Sequence, residues 1–153
     1  MSAGASQSGF RLAAGRVTAV LGPEAARRAL LDRLDPGSAP NVLTVTSARR
    51  RSADERIAAL EQAGGHRPAM VLVDRLTDGL DAGERRAVLA AVRALATSGA
   101  AVLLDDVDPV AALAVADGAL RAGLDGSVTA DDLAVPAGHP AVQRGPAGGQ
   151  RAS

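Results

Sequence analysis

Five aspartates, Asp74, Asp81, Asp105, Asp106 and Asp108, stand at or just beyond the ends of two apolar runs. If those runs are neighbouring strands, the carboxylates meet at the edge where open α/β sheets bind ligands, and oxygen ligands there can hold Mg²⁺ or Ca²⁺. That pattern admits a divalent-metal-dependent α/β enzyme with carboxylates as its only well-placed bases. It equally admits a structural role. Asp81 and Asp108, the latter followed by Pro109, suit helix N-caps, and the other three suit solvated loops. Arg49, Arg50 and Arg51 form a basic run that can meet phosphate or an acidic partner, although such runs are commonly solvated. His66, beside Arg67 and Pro68, reads as a loop residue, and His139 lies in a Pro- and Gly-rich stretch.

The composition removes several chemistries. The chain has 153 residues, 47% hydrophobic and 22% charged, enough for one domain with a real core. Seventeen acidic and seventeen basic residues cancel, so no global charge draws it to nucleic acid or anionic membrane. There is no Cys, which excludes thiol chemistry. Phe10 is the only aromatic residue, leaving almost nothing to stack on bases. All seventeen basic residues are Arg, so a catalytic or phosphate-gripping Lys is impossible. Neither a signal peptide nor an uncharged apolar run of membrane length is visible, and a cytoplasmic protein without direct membrane insertion is expected.

The elements needed to position the aspartates follow from periodicity. Apolar runs predict strands over 17–21, 41–46, 69–73 and 100–104, the third bounded by Pro68 and a charge. Continuous runs of this kind suit a parallel sheet covered on both faces. Helices are predicted from Pro23 through Leu34, from the capping box Ser52–Glu55 to Gly64, over 82–97, and after Pro109. Two weak strands, 119–122 and 127–130, flank Asp125-Gly126 as a hairpin. The expected organisation is a flexible N-terminus over 1–9, an α/β domain over 10–133 and a disordered tail over 134–153.

Four stretches in this order resemble the ATP-binding cassette (ABC) ATPase subunits. Gly15 to Pro23 (GRVTAVLGP) is similar to the approach to their phosphate loop. Val71 to Asp74 (VLVD) with Leu76 to Asp81 (LTDGLD) is similar to their second nucleotide motif and D-loop. Ala101 to Leu104, then Val107 to Asp117, resembles the strand and helix around their switch histidine, and the stretch to Val128 resembles their closing hairpin. The resemblance implies a mainly parallel α/β sheet flanked by helices, a reduced P-loop NTPase-like core. Only 46 positions separate Arg28 from Asp74, too few for the family's helical subdomain, so that subdomain is expected to be missing.

The resemblance assigns Gly22 and Arg28 to a nucleotide site and Asp74 to a metal, and it assigns no catalytic residue. Ala25, Arg27, Arg28, Ala29 and Leu30 stand where the family has two further glycines, Lys and a hydroxyl. Arg28 is either a substitute phosphate grip or an arginine on a solvated helix face. Arg75 replaces the catalytic glutamate and Val107 the switch histidine; neither can serve as a base at neutral pH. The signature pentapeptide falls on Arg51 to Glu55, where only Ser52 agrees. Glu24 to Leu31 is built of helix formers, and each Gly-to-Ala-type change favours helix by about 1 kcal/mol, so helix from residue 23 or 24 is expected in place of an open loop. The reading is a degenerate homologue without ATP hydrolysis and without a cofactor, acting as an interaction or regulatory module. Its expected partners are another ABC ATPase subunit or a membrane permease. An ATP-binding subunit that keeps ATP and Mg²⁺ is the alternative.

Overall fold

The computed structural model describes residues 12–34, 41–47 and 52–132. The expected flexible start and disordered tail, Phe10, the Arg49–Arg51 run and His139 lie outside the described residues.

Val17–Leu21 forms β1, Glu24–Leu34 α1, Val42–Thr46 β2 and Ala53–Gly65 α2. Met70–Asp74 forms β3, Ala82–Thr97 α3, Ala101–Asp105 β4 and Pro109–Val115 α4, and Gly118–Ala122 (β5) and Val128–Asp132 (β6) complete the order. One six-stranded sheet runs β2-β3-β4-β1-β5-β6. The first five pair in parallel, and β6 closes antiparallel on β5 through the expected hairpin. The fold is the expected mainly parallel α/β sheet. Between β2 and β3 the described residues form only α2, which agrees with a missing helical subdomain.

Period-two alternation sends side chains to two cores. Val17 and Ala19 of β1, Val71 and Val73 of β3, and Val102 and Leu104 of β4 pack with Leu60, Val88, Val92 and Leu95 of α2 and α3. Val20, Leu72, Leu103 and Leu120 point the other way, onto Ala26, Leu30 and Leu31 of α1. Both faces are covered, which is why the strands read as unbroken apolar runs.

Side chains cap the helix N-termini as the sequence predicts. Ser52 and Asp81 each complete a capping box, with Glu55 and Glu84, and Asp108 accepts from the backbone N–H groups of Val110 and Ala111. His66 is the C-cap of α2. Helix α1 begins at Glu24, straight after Gly22-Pro23. Gly22 sits at φ +121°, and a Cβ there would lie 2.2 Å from the Ala122 carbonyl oxygen of β5, so only glycine lets the chain turn this close to the sheet.

Candidate functional site

The first turns of α1 lie over the C-terminal ends of β3 and β4. Parallel pairing sets Asp74 opposite Asp105 in register, so the two carboxylates share one edge of the sheet. Helix α1 projects two arginines at them. Arg28 makes a two-pronged pair with Asp74, Nη1 to Oδ1 and Nη2 to Oδ2, the latter at 3.0 Å. The same Nη1 stands 3.6 Å from Asp105 Oδ2. Arg27 donates to Asp105 Oδ1 through Nη1 and to the Gly22 carbonyl through Nε at 3.0 Å. One turn earlier, Glu24 accepts from Arg75 at 3.0 Å. Three side chains of α1 therefore form ion pairs with the strand ends.

Arg28 is partly exposed on the helix face, where it is paired with Asp74 and does not stand alone in solvent. Sequence reasoning singled out both residues and missed that they meet. Asp105 and Asp106 correct the solvated-loop expectation too: Asp105 belongs to β4 and is fully buried, and Asp106 is nearly so. Burial pushes the Asp105 carboxyl above the usual carboxylate range, against the hydrogen bond and charge of Arg27, which pull it down. The hydrogen bond to Asp74 raises the Arg28 guanidinium further, over the opposing effect of burial. Asp106 accepts from the Thr77 hydroxyl at 2.7 Å and from the Asp108 backbone N–H at 3.0 Å. Asp105 Oδ2 and Asp106 Oδ2 accept no hydrogen bond among the described residues.

The loop after β3 is fixed from three sides. Arg75 adopts φ +55°, its N–H donates to the Asp105 carbonyl at 2.7 Å, and Thr77 is tied to Asp106. From α2, the buried Arg56 donates to the carbonyls of Leu76 at 2.9 Å and Asp78 at 2.6 Å. Arg56 escaped sequence reasoning because it directly follows the capping box, in a charged stretch that reads as solvent-facing.

The five aspartates thus divide. Asp81 and Asp108 are caps, Asp106 braces two loops, and Asp74 and Asp105 are neutralised by arginine. Among the described residues no group of three His, Asp or Glu side chains is arranged to hold a metal ion. Val107 is partly exposed beside Asp106, and Arg75 is committed to Glu24 and, at 3.9 Å, Asp78. On the other flank of α1 a cavity of about 250 Å³ is lined by Ala, Gly, Leu124, Ser127 and Arg33, with no carboxylate.

Two solved structures share this architecture. The structure described as the ATP-binding subunit of an ABC transporter aligns over 81% of this chain and 81% of its own, with a TM-score of 0.58 and 13% identity. A nucleotide-free ATP-binding cassette from an ABC transporter aligns over 78% of this chain and 81% of its own, with a TM-score of 0.64 and 11% identity. The fold is that of an ABC ATP-binding subunit. No protein-family model and no curated protein matches the sequence. The chain thus has the ABC ATP-binding fold in shortened form, at low sequence identity to both structures. Among the described residues no helix is long and apolar enough to cross a membrane.

Proposed function

We propose that this chain is a degenerate homologue of ABC ATP-binding subunits that does not hydrolyse ATP and works as an interaction or regulatory module. Its partner on this reading is another ABC ATPase subunit or a membrane permease, met on the cytoplasmic side. The observation that carries the reading is the pair between Arg28 and Asp74. These are the positions that the resemblance assigns to the phosphate grip and the metal-side carboxylate, and each occupies the other.

A bound Mg²⁺ needs free carboxylate oxygens at Asp74, and both accept from Arg28. A phosphate cradle needs converging backbone N–H groups, and α1 is already wound at Glu24. Glu24 adds a negative charge at the helix start, and Ala29 and Leu30 offer no hydroxyl. The residues present do not fit ATP and Mg²⁺. Hydrolysis has no base either, since Arg75 is a paired cation and Val107 cannot take a proton.

Calorimetric titration of the purified protein with ATP and Mg²⁺ tests this. No saturable heat is expected. Micromolar binding that weakens in Arg28→Ala would establish the alternative, an ATP-binding subunit. Turnover of ATP abolished by Asp74→Ala would overturn the loss of hydrolysis, and Arg75→Glu alone is expected to create none.

A further inference from the structure

We propose that the ion pairs from α1 form a built-in charge clasp that holds the start of the helix against the ends of β3 and β4. The pairs are Glu24–Arg75, Arg27–Asp105 and Arg28–Asp74. Every one runs from the first five residues of α1 to the end of β3, the residue after it, or the end of β4. No other polar side chain of α1 crosses to these strands among the described residues, apart from the same Arg28 reaching Asp105 at 3.6 Å. The contact is therefore a single seam, not scattered surface pairing.

Three features make it a clasp. First, its anchor is asymmetric in burial: Asp105 is fully buried, so its charge depends on Arg27 and Arg28 staying in place. Second, charge alternates along the seam. Acid then base on α1 faces base then acid on the strand ends, so a shift of α1 by one turn sets like charges together. Third, the strand-end loop on the other side is tied down by Arg56 and by the Thr77–Asp106 bond, so the start of α1 is clasped onto a braced platform. The crevice at this edge of an open sheet is thereby filled from within.

The seam has an outer and an inner half. Glu24 and Arg75 are well exposed, at 62% and 39% of their side chains, so salt screens that pair. Arg27 and Asp105, at 18% and 0%, are shielded from it. Raising salt loosens the start of α1 first and leaves the Arg27 anchor intact.

Hydrogen exchange on the full chain tests the clasp, with Arg28→Asp, Asp74→Arg and the double variant that exchanges the two charges. Each single variant is expected to speed exchange in residues 24–30 and 74–78 by about tenfold or more, and the exchanged pair to recover most of it, the coupling typical of contacting ion-pair partners. Equal rates in the single variants and the wild type would overturn the clasp, and so would no recovery in the double variant. Should a single variant unfold, Glu24→Gln and Arg75→Gln supply the reading: local exchange about two- to threefold faster at low salt, vanishing near 1 M salt. No change in either at low salt overturns the proposal as well. The inference rests on the proposed reading that this edge takes no nucleotide, yet the two fail separately. ATP·Mg²⁺ that binds and slows exchange over 24–30 refutes the proposed function, whereas failed charge exchange refutes the clasp alone.

Discussion

Asp105 and Asp117 are both aspartates paired with arginine at the ends of this sheet, and their carboxyls are driven in opposite directions. Asp105 ends β4 at the C-terminal edge of the sheet; burial raises its pKa although Arg27 donates to it. Asp117 precedes β5 at the far edge. Burial raises its pKa too, but the hydrogen bonds from Arg93 and from the Val17 backbone N–H, at 2.9 Å, outweigh that and bring it below the ordinary value. The two sites differ in donors and in water. Asp117 keeps 28% of its side chain exposed and one oxygen receives two donors, whereas Asp105 has none exposed and Oδ2 receives no hydrogen bond. An arginine alone does not make a carboxylate comfortable; the balance of desolvation against hydrogen bonds decides.

The sharpest way to break this comparison is Arg27→Ala. It strands a fully buried carboxylate, and removing one member of a buried pair costs about 3–5 kcal/mol. Denaturant melts at pH 7 should show that loss, and it should shrink as the pH falls and Asp105 takes up a proton. A loss below about 1 kcal/mol would mean that Asp105 is already neutral or that water reaches it.

Next comes Gly22→Ala, which disturbs the platform of the Arg27–Asp105 site and leaves the Asp117 site untouched. The added Cβ meets the Ala122 carbonyl oxygen at 2.2 Å in a backbone conformation that side chains rarely adopt. A loss of about 2–3 kcal/mol is expected from overlap and backbone strain together. Amide exchange should rise around Arg27 and not at Val17.

How much of this was legible in the sequence differs between the two aspartates' surroundings. Strands and helices were readable because apolar runs and caps are local signals: α3 occupies the expected 82–97, and Ser52, Asp81 and Asp108 cap where they should. Strand β4 runs one residue further than its apolar run, because Asp105 keeps the ladder register with Asp74. The site was half legible. Gly22, Arg28 and Asp74 were found as positions, but the pairs were not. They depend on the phase of α1 and on the strand order that sets β3 beside β4, and neither follows from local pattern. Arg28 at the start of a helix, with carboxylates at both strand ends in a chain without lysine, was the available hint.

A pH series on Asp105→Asn and Asp117→Asn sharpens the contrast by sign. The lowered pKa of Asp117 means that its carboxylate stabilises the fold above its unfolded pKa, and this stability is lost as pH falls through the folded value. Asp117→Asn should therefore cost about 1 kcal/mol at pH 7 and progressively less toward pH 3. The raised pKa of Asp105 works the other way: its contribution is full at low pH and is lost as pH rises through the folded value. Asp105→Asn, which keeps an acceptor for Arg27, should cost about 1 kcal/mol or less at pH 7, and more at pH 3. Parallel pH profiles for the two variants would dissolve the distinction.

The smallest effect separates burial from location. Glu24–Arg75 lies on the same edge as Arg27–Asp105 and joins the same helix to the adjacent strand end, but in solvent. If position at the C-terminal edge governed the energetics, Glu24→Gln would cost nearly as much as loss of the inner pair. If burial governs them, the loss stays below about 1 kcal/mol, as for exposed pairs generally. It should also vanish near 1 M salt, where the screening length is about 3 Å, while the cost of Arg27→Ala persists. Melts of both variants at low and high salt read the two cases side by side. A salt-resistant loss above about 2 kcal/mol in Glu24→Gln would show that the edge itself excludes water, and the contrast with Asp117 would then rest on where the pair sits, not on how deeply.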